Sequence, residues 1–146
     1  MEIKRKLEEQ RRMQRVWRIY EHPFFEEGLA KNKDAEKERK FCHHDMNHFL
    51  DVGRLMYIFS MERGYALGKE EIYAAALLHD IGKWQQYKAG IPHEIASAEI
   101  AKRILEETGF TKEESDRILF AILSHRGKAE ETENAGQDKW QLAEIL

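Results

Sequence analysis

The sequence predicts an all-α protein, folded as a single-domain helical bundle of about six or seven helices. Three observations carry that reading. Apolar residues recur at helical spacing along nearly the whole chain, Gly and Pro punctuate the periodic stretches, and no run alternates convincingly as a strand would. The 146 residues suit one domain and suffice to bury a core without covalent staples. No repeat or low-complexity segment interrupts them.

From Glu2 to Tyr20, the apolar residues Met13, Val16, Trp17 and Tyr20 share one face of an amphipathic helix, and His22-Pro23 ends it. The stretch from Glu26 to Lys40 is strongly charged, which predicts an exposed helix or a helix with a loop. A long helix is expected from about His44 to Arg63, with His48, Val52, Leu55, Tyr57 and Phe59 spread over a broad apolar surface. Gly64 and Gly68 bracket the turn into a helix from Lys69 to about Asp80, whose core face is Ile72, Ala75, Ala76 and His79. Gly82 is its expected terminator, and Lys83 to Ile91 reads as a loop.

Pro92 suits a helix start; Ile95, Ala98, Ala101, Ile104 and Leu105 follow at helical spacing, and Gly109 closes the segment. Thr111-Lys112-Glu113-Glu114 is a capping-box pattern, opening a helix that carries Ile118, Leu119, Ile122 and His125. Gly127 to Gly136 is polar and loop-like, and Trp140 to Leu146 forms a last periodic segment.

Composition narrows the function. With 35% charged and 42% hydrophobic residues, the chain is an ordinary globular sequence, not a disordered one. Its 24 basic and 27 acidic residues leave a net charge of -3, which disfavours duplex nucleic acid as the main partner. Basic residues do crowd the first eighteen positions, so a local patch stays open. Cys42 is the sole cysteine, so no intramolecular disulfide can form, which suits a reducing, cytoplasmic location. No apolar run reaches transmembrane length and the N-terminus is too charged for a signal peptide, so no membrane partner is expected.

The chemistry concentrates at His79-Asp80, which closes the apolar run Ala74-Ala75-Ala76-Leu77-Leu78. Burying an imidazole and a carboxylate unpaired is costly, and a divalent metal would pair both. On a regular helix the two side chains diverge by about 100°, yet both reach an ion beside the last turn, where carbonyl dipoles favour a cation. Among the seven histidines, His48, His93 and His125 each fall at or near the end of a predicted helix. An antiparallel bundle brings such ends to one level, as bundle proteins do when building metal sites. Imidazoles with a carboxylate suit iron, manganese, nickel, cobalt or zinc better than calcium. A single such histidine is more often a hydrogen-bonded core residue, and it is the set that favours metal.

The order of His48 followed by His79-Asp80 resembles the HD-domain metal-dependent phosphohydrolase superfamily, named for its His-Asp doublet. Leu77-Leu78-His79-Asp80-Ile81-Gly82-Lys83 looks like the HDIG version. His93-Glu94-Ile95-Ala96-Ser97-Ala98 and Ala121-Ile122-Leu123-Ser124-His125-Arg126 resemble the extra histidine sites of its two-metal subgroups, which include dinucleoside tetraphosphatases and cyclic-dinucleotide phosphodiesterases. The likeness spans about Phe41 to Leu146. Residues 1–40 carry none of it and are expected to pack on the same domain as a helical extension, with a homodimer contact as the alternative for their apolar face.

By that resemblance, His48, His79 and Asp80 hold a first metal, Asp80 bridges, and His93 and His125 hold a second; magnesium joins the candidate ions. His44 lies one helical turn before His48. The similar cyclic-nucleotide phosphodiesterases place a proton-donating histidine there, so His44 is the candidate to protonate the leaving oxygen, with support of a metal ligand or an ordinary surface histidine as its alternatives. His43 and His22 receive no role.

The superfamily's last ligand is an aspartate in a late apolar helix. Here Leu142-Ala143-Glu144-Ile145-Leu146 resembles the lead-in to that motif, so either Asp138 substitutes or the ligand lies beyond Leu146. Lys83 and Arg126 are the cations best placed to bind substrate phosphate, with solvated helix-end charges as their plain alternative. The expected function is hydrolysis of a nucleotide or other small phosphoester by a metal-activated water. A di-iron oxygenase of HD type and a non-catalytic module binding a nucleotide or partner are the alternatives.

Overall fold

The computed structural model describes residues 2–3, 12–38, 44–125 and 137–146, at 137–140 the backbone. The described residues are helical with short connections and contain no strand. The helices are α1 (Gln14–Glu21), α2 (Pro23–Glu36), α3 (Met46–Arg63), α4 (Lys69–Leu78), α5 (Lys83–Ala89), α6 (His93–Glu107), α7 (Lys112–Ser124) and α8 (Gln137–Ile145). None is long and apolar enough to cross a membrane. The predicted loop from Gly127 to Gly136 and the part of the first helix between residues 4 and 11 lie outside the described residues.

α4 is the axis of the bundle. Every residue from Glu71 to Leu78 is buried, so beyond its first two residues this helix has no solvent face. Its alanines let α3, α6, α7 and α1 approach it closely, while Ile72, Leu77 and Leu78 fill the gaps between them. The expected single core face was therefore too narrow. The helix stops at Leu78, with His79 as its C-cap, so the doublet sits just past the last turn.

α3 starts where Asp45 caps it, the Asp45 side chain accepting from the His48 backbone N–H at 2.9 Å. Its buried side is Met46, Phe49, Leu50, Gly53, Met56 and Ser60. Leu55 and Phe59, read from sequence as part of an apolar surface, face outward. Gly53 sits where it does because a Cβ would lie 2.7 Å from the Tyr73 ring of α4. The predicted capping box opens α7 as expected, with Thr111 and Glu114 bonding each other's backbone N–H.

Three sequence expectations are corrected. Lys83 to Ile91 is not a loop: α5 forms over Lys83–Ala89, and Gly90 in the left-handed region (φ 69°) stops it before Pro92. Gly82 does not end α4 but opens α5. The charged stretch after Glu26 is not simply exposed either. α2 buries Phe25, Gly28, Asn32 and Glu36, an i, i+3, i+7, i+11 stripe with two polar residues and a glycine.

Candidate metal centre

Asp80 is the hub. It is only 6% exposed, and its two carboxylate oxygens face different imidazoles. Oδ2 lies 3.1 Å from His79 Nε2 and 3.4 Å from His44 Nε2. Oδ1 lies 3.4 Å from His93 Nε2 and 3.6 Å from His125 Nε2, and accepts no hydrogen bond from the described residues. Burial alone would raise the Asp80 pKa. Where the rings of His125 and His79 are protonated at Nε2, their contacts, and then the field of His44, outweigh it and hold the carboxylate well below its usual range.

The elements deliver these groups from several directions. His79 and Asp80 come from the C-terminal end of α4, His48 from the first turn of α3, His93 from the start of α6 and His125 from the end of α7. His44, just before the α3 cap, stacks edge-on to His48 with ring centroids 5.3 Å apart. The His48 ring stands 6.2 Å from that of His79. Two trios place one donor atom per residue within 4.8 Å of one another: His44, His48 and Asp80, and then Asp80, His93 and His125. His79 belongs to neither trio but is the ring nearest to Oδ2.

The hydrogen bonds on the far side of each ring decide what the near side offers. His79 Nδ1 donates to the Ala76 carbonyl at 2.7 Å, and His125 Nδ1 to the Ile122 carbonyl at 2.6 Å. His93 Nδ1 stands 2.7 Å from Gln86 Oε1. With the proton on Nδ1, each Nε2 presents a lone pair to Asp80. His93 Nε2 and His125 Nε2 are then two acceptors 2.9 Å apart beside an anionic oxygen. Such a cluster repels itself unless a cation lies among the donors, so the residues fit a divalent metal on both sides of Asp80.

Burial also prepares the donors. It lowers the His93 pKa to about 4, assisted by Lys83 and His125 and opposed by Asp80. Burial likewise lowers His48, together with His44 and His79. Neutral imidazole is the metal-binding form, so His93 stays ligand-competent well into mild acid, and the shift of His48 runs in the same direction.

Two residues that sequence reasoning missed hold the doublet in place. Asn32 of α2, fully buried, donates to the Asp80 carbonyl at 2.9 Å and accepts from the Trp84 N–H at 2.8 Å. It thereby clamps both ends of the turn between α4 and α5. Ser97 of α6 accepts the Gly82 N–H at 2.9 Å. Gly28 of α2 rides directly on this turn, since a Cβ there would lie 2.9 Å from the Ile81 carbonyl oxygen. The only hint in the sequence was a small and polar stripe at helical spacing within a charged stretch.

The remaining expected site residues are placed as follows. Lys83 Nζ lies 3.4 Å from His93 Nδ1, at the edge of the centre. Arg126 lies outside the described residues, as does the side chain of Asp138, whose backbone is in the first turn of α8. His22 has a structural part: its Nδ1 accepts from the Phe24 N–H to cap α2, and its Nε2 meets Glu107 at 2.7 Å.

Comparison with known proteins fits this geometry. The sequence model of the HD domain family matches residues 45–145. The chain belongs to the HD domain family. Its HD doublet is His79-Asp80, at the hub of the imidazole cluster. The HD chain is 48% identical over 103 residues to an uncharacterized protein of Clostridium beijerinckii, covering 70% of this chain and 66% of that protein. It is 33% identical over 87 residues to Ribonuclease Y of Thermoanaerobacter pseudethanolicus, covering 58% of this chain and 15% of that protein. The chain thus spans less than two thirds of each of these relatives. No solved structure matches it significantly. HD domains bind divalent metals, and the His and Asp groups able to hold one are present among the described residues.

Proposed function

We propose that this HD domain is a metal-dependent phosphohydrolase that cleaves a nucleotide or another small phosphoester. The observation that carries the reading is the split environment of Asp80, one oxygen facing His44 and His79 and the other facing His93 and His125, with His48 within donor distance. One divalent ion would be held by His48, His79 and Asp80, and a second by Asp80, His93 and His125. Iron, manganese, nickel, cobalt and zinc suit the donors, and magnesium stays a candidate. Bound there, such ions supply a hydroxide at neutral pH and neutralise phosphate oxygens.

The chain's own groups do the rest. His44, its Nε2 3.4 Å from Oδ2, would act as the imidazolium, passing the Nε2 proton to the departing oxygen and returning to the Nδ1–H form. Lys83 Nζ at the rim attracts the phosphate and offsets charge gathering on it. One relative is named Ribonuclease Y, and phosphodiester cleavage is the chemistry such a name denotes.

The test is purified protein with its metal content measured, assayed on a panel of nucleotides and phosphoesters with each candidate ion. Hydrolysis that needs Asp80 is the expected result. Metal-loaded protein inert across the panel would overturn the reading in favour of a non-catalytic module. Oxygen uptake by iron-loaded protein would instead assign the oxygenase alternative.

A further inference from the structure

α2 lies ahead of the region that the family model matches, yet its last residue is tied into the centre. Glu36 is 1% exposed and ends a helix, where the macrodipole is unfavourable to a negative charge. Burial and position both work against a carboxylate here. What offsets them is a complete set of donors. Glu36 Oε1 accepts the His44 backbone N–H at 2.8 Å, while Oε2 accepts the His44 Nδ1–H and, at 2.8 Å, the Tyr87 hydroxyl of α5.

His44 needs such an anchor. It precedes the α3 N-cap, so no helix fixes its backbone, and among the described residues its ring has no carbonyl contact like those of His79 and His125. One carboxylate grips both its backbone and its ring, and the ring is left with Nε2 turned to Asp80 Oδ2. Tyr87 connects the same carboxylate to the helix that carries Lys83.

We infer that Glu36 is a positioning residue of the centre, which acts by fixing the tautomer and direction of the His44 imidazole, and that α2 therefore belongs to the functional unit. The consequence for turnover rests on the proposed phosphohydrolase reading; the consequence for the ring does not.

The experiment uses long-range 1H–15N correlation of the imidazole nitrogens in the full-length, metal-free protein at pH 7.5. It compares wild type, Glu36→Gln, Glu36→Leu and Tyr87→Phe. Wild-type His44 is expected as the Nδ1–H form with a strongly downfield proton. Glu36→Gln should move that proton upfield but keep the tautomer, Glu36→Leu should give mixed tautomers, and Tyr87→Phe should leave the tautomer unchanged. Identical His44 signals in wild type and Glu36→Gln would overturn the inference, and that comparison stands even if Glu36→Leu fails to fold.

In parallel, hydrolysis of bis(p-nitrophenyl) phosphate and of an alkyl phosphoester is followed with manganese. Glu36→Leu should lose about 10²-fold in kcat on the alkyl ester, as should His44→Ala, with no further loss in the double variant. Additive losses would overturn action through His44. Wild type inert on both esters, with the imidazole signals as expected, would refute the phosphohydrolase reading and leave the role of Glu36 in place.

Discussion

At the scale of single residues, Asp80 decides whether the centre exists. Four rings face it, each with its Nδ1 against an oxygen on the far side, so a cation among the donors is what reconciles their lone pairs with the carboxylate. Asp80→Asn and His79→Ala should both abolish bound metal while helicity survives, and elemental analysis with circular dichroism checks this. Unchanged metal content would remove the centre from this place. His44→Ala is a finer test, because His44 also stands within donor distance of His48 and Asp80. If it is the proton donor, the variant keeps its metal and loses turnover most severely on esters with poor leaving groups. Loss of metal would make it a ligand. These residues were legible in the sequence because a metal site needs particular side chains, and the doublet and its histidines lie at helix ends. Asn32 and Glu36 were not, since any helix carries polar residues and only the packing partner reveals which face is inside.

The elements show the same division. α3, α6 and α7 follow from apolar periodicity and from caps whose chemistry is local, as in the Thr111–Glu114 box. α5 was misread because Gly82 and the polar residues after it look like a loop. What makes it helical is tertiary: Asn32 holds the Trp84 N–H, Glu36 holds the Tyr87 hydroxyl, and α2 and α6 enclose it. The turn that feeds α5 is correspondingly intolerant of bulk. A Cβ on Gly82 would lie 2.7 Å from both the Ala96 carbonyl carbon and the Ser97 nitrogen, which are backbone and cannot rotate away. The Gly82 φ of -100° is open to any residue, so the conflict is purely one of space. Gly82→Ala should therefore cost about 1–3 kcal/mol. Urea unfolding reads that cost, and metal content should fall with it as α6 carries His93 away from Asp80. A variant with wild-type stability and metal would show that α6 can shift freely.

Across the whole molecule, one arginine ties α1 to the starts of two other helices. Arg15, at the start of α1, bonds Glu70 Oε1 at 3.0 Å in the first turn of α4 and Glu114 at 2.6 and 3.0 Å in the first turn of α7. Its guanidinium also lies 4.4 Å from the centroid of the Phe110 ring. Both carboxylates sit at helix N-termini, where the dipoles already favour them, so three helix starts converge on one cation. The hydrogen bond from Arg15 holds the Glu114 pKa down at about 2 against partial burial, with Thr111 assisting. A carboxyl whose folded pKa is depressed adds stability above its unfolded pKa near 4.5 and loses it as pH falls toward the folded value. Both side chains are partly solvated, so screening trims the contribution to about 1–2 kcal/mol. The advantage of wild type over Arg15→Met should thus be constant between pH 6 and 5 and shrink steadily between about pH 4.5 and 2. Thermal unfolding of the two proteins across that range measures it. A gap that persists unchanged to the acid end would mean that Arg15 stabilises through its packing on Phe110, with the charge contributing nothing.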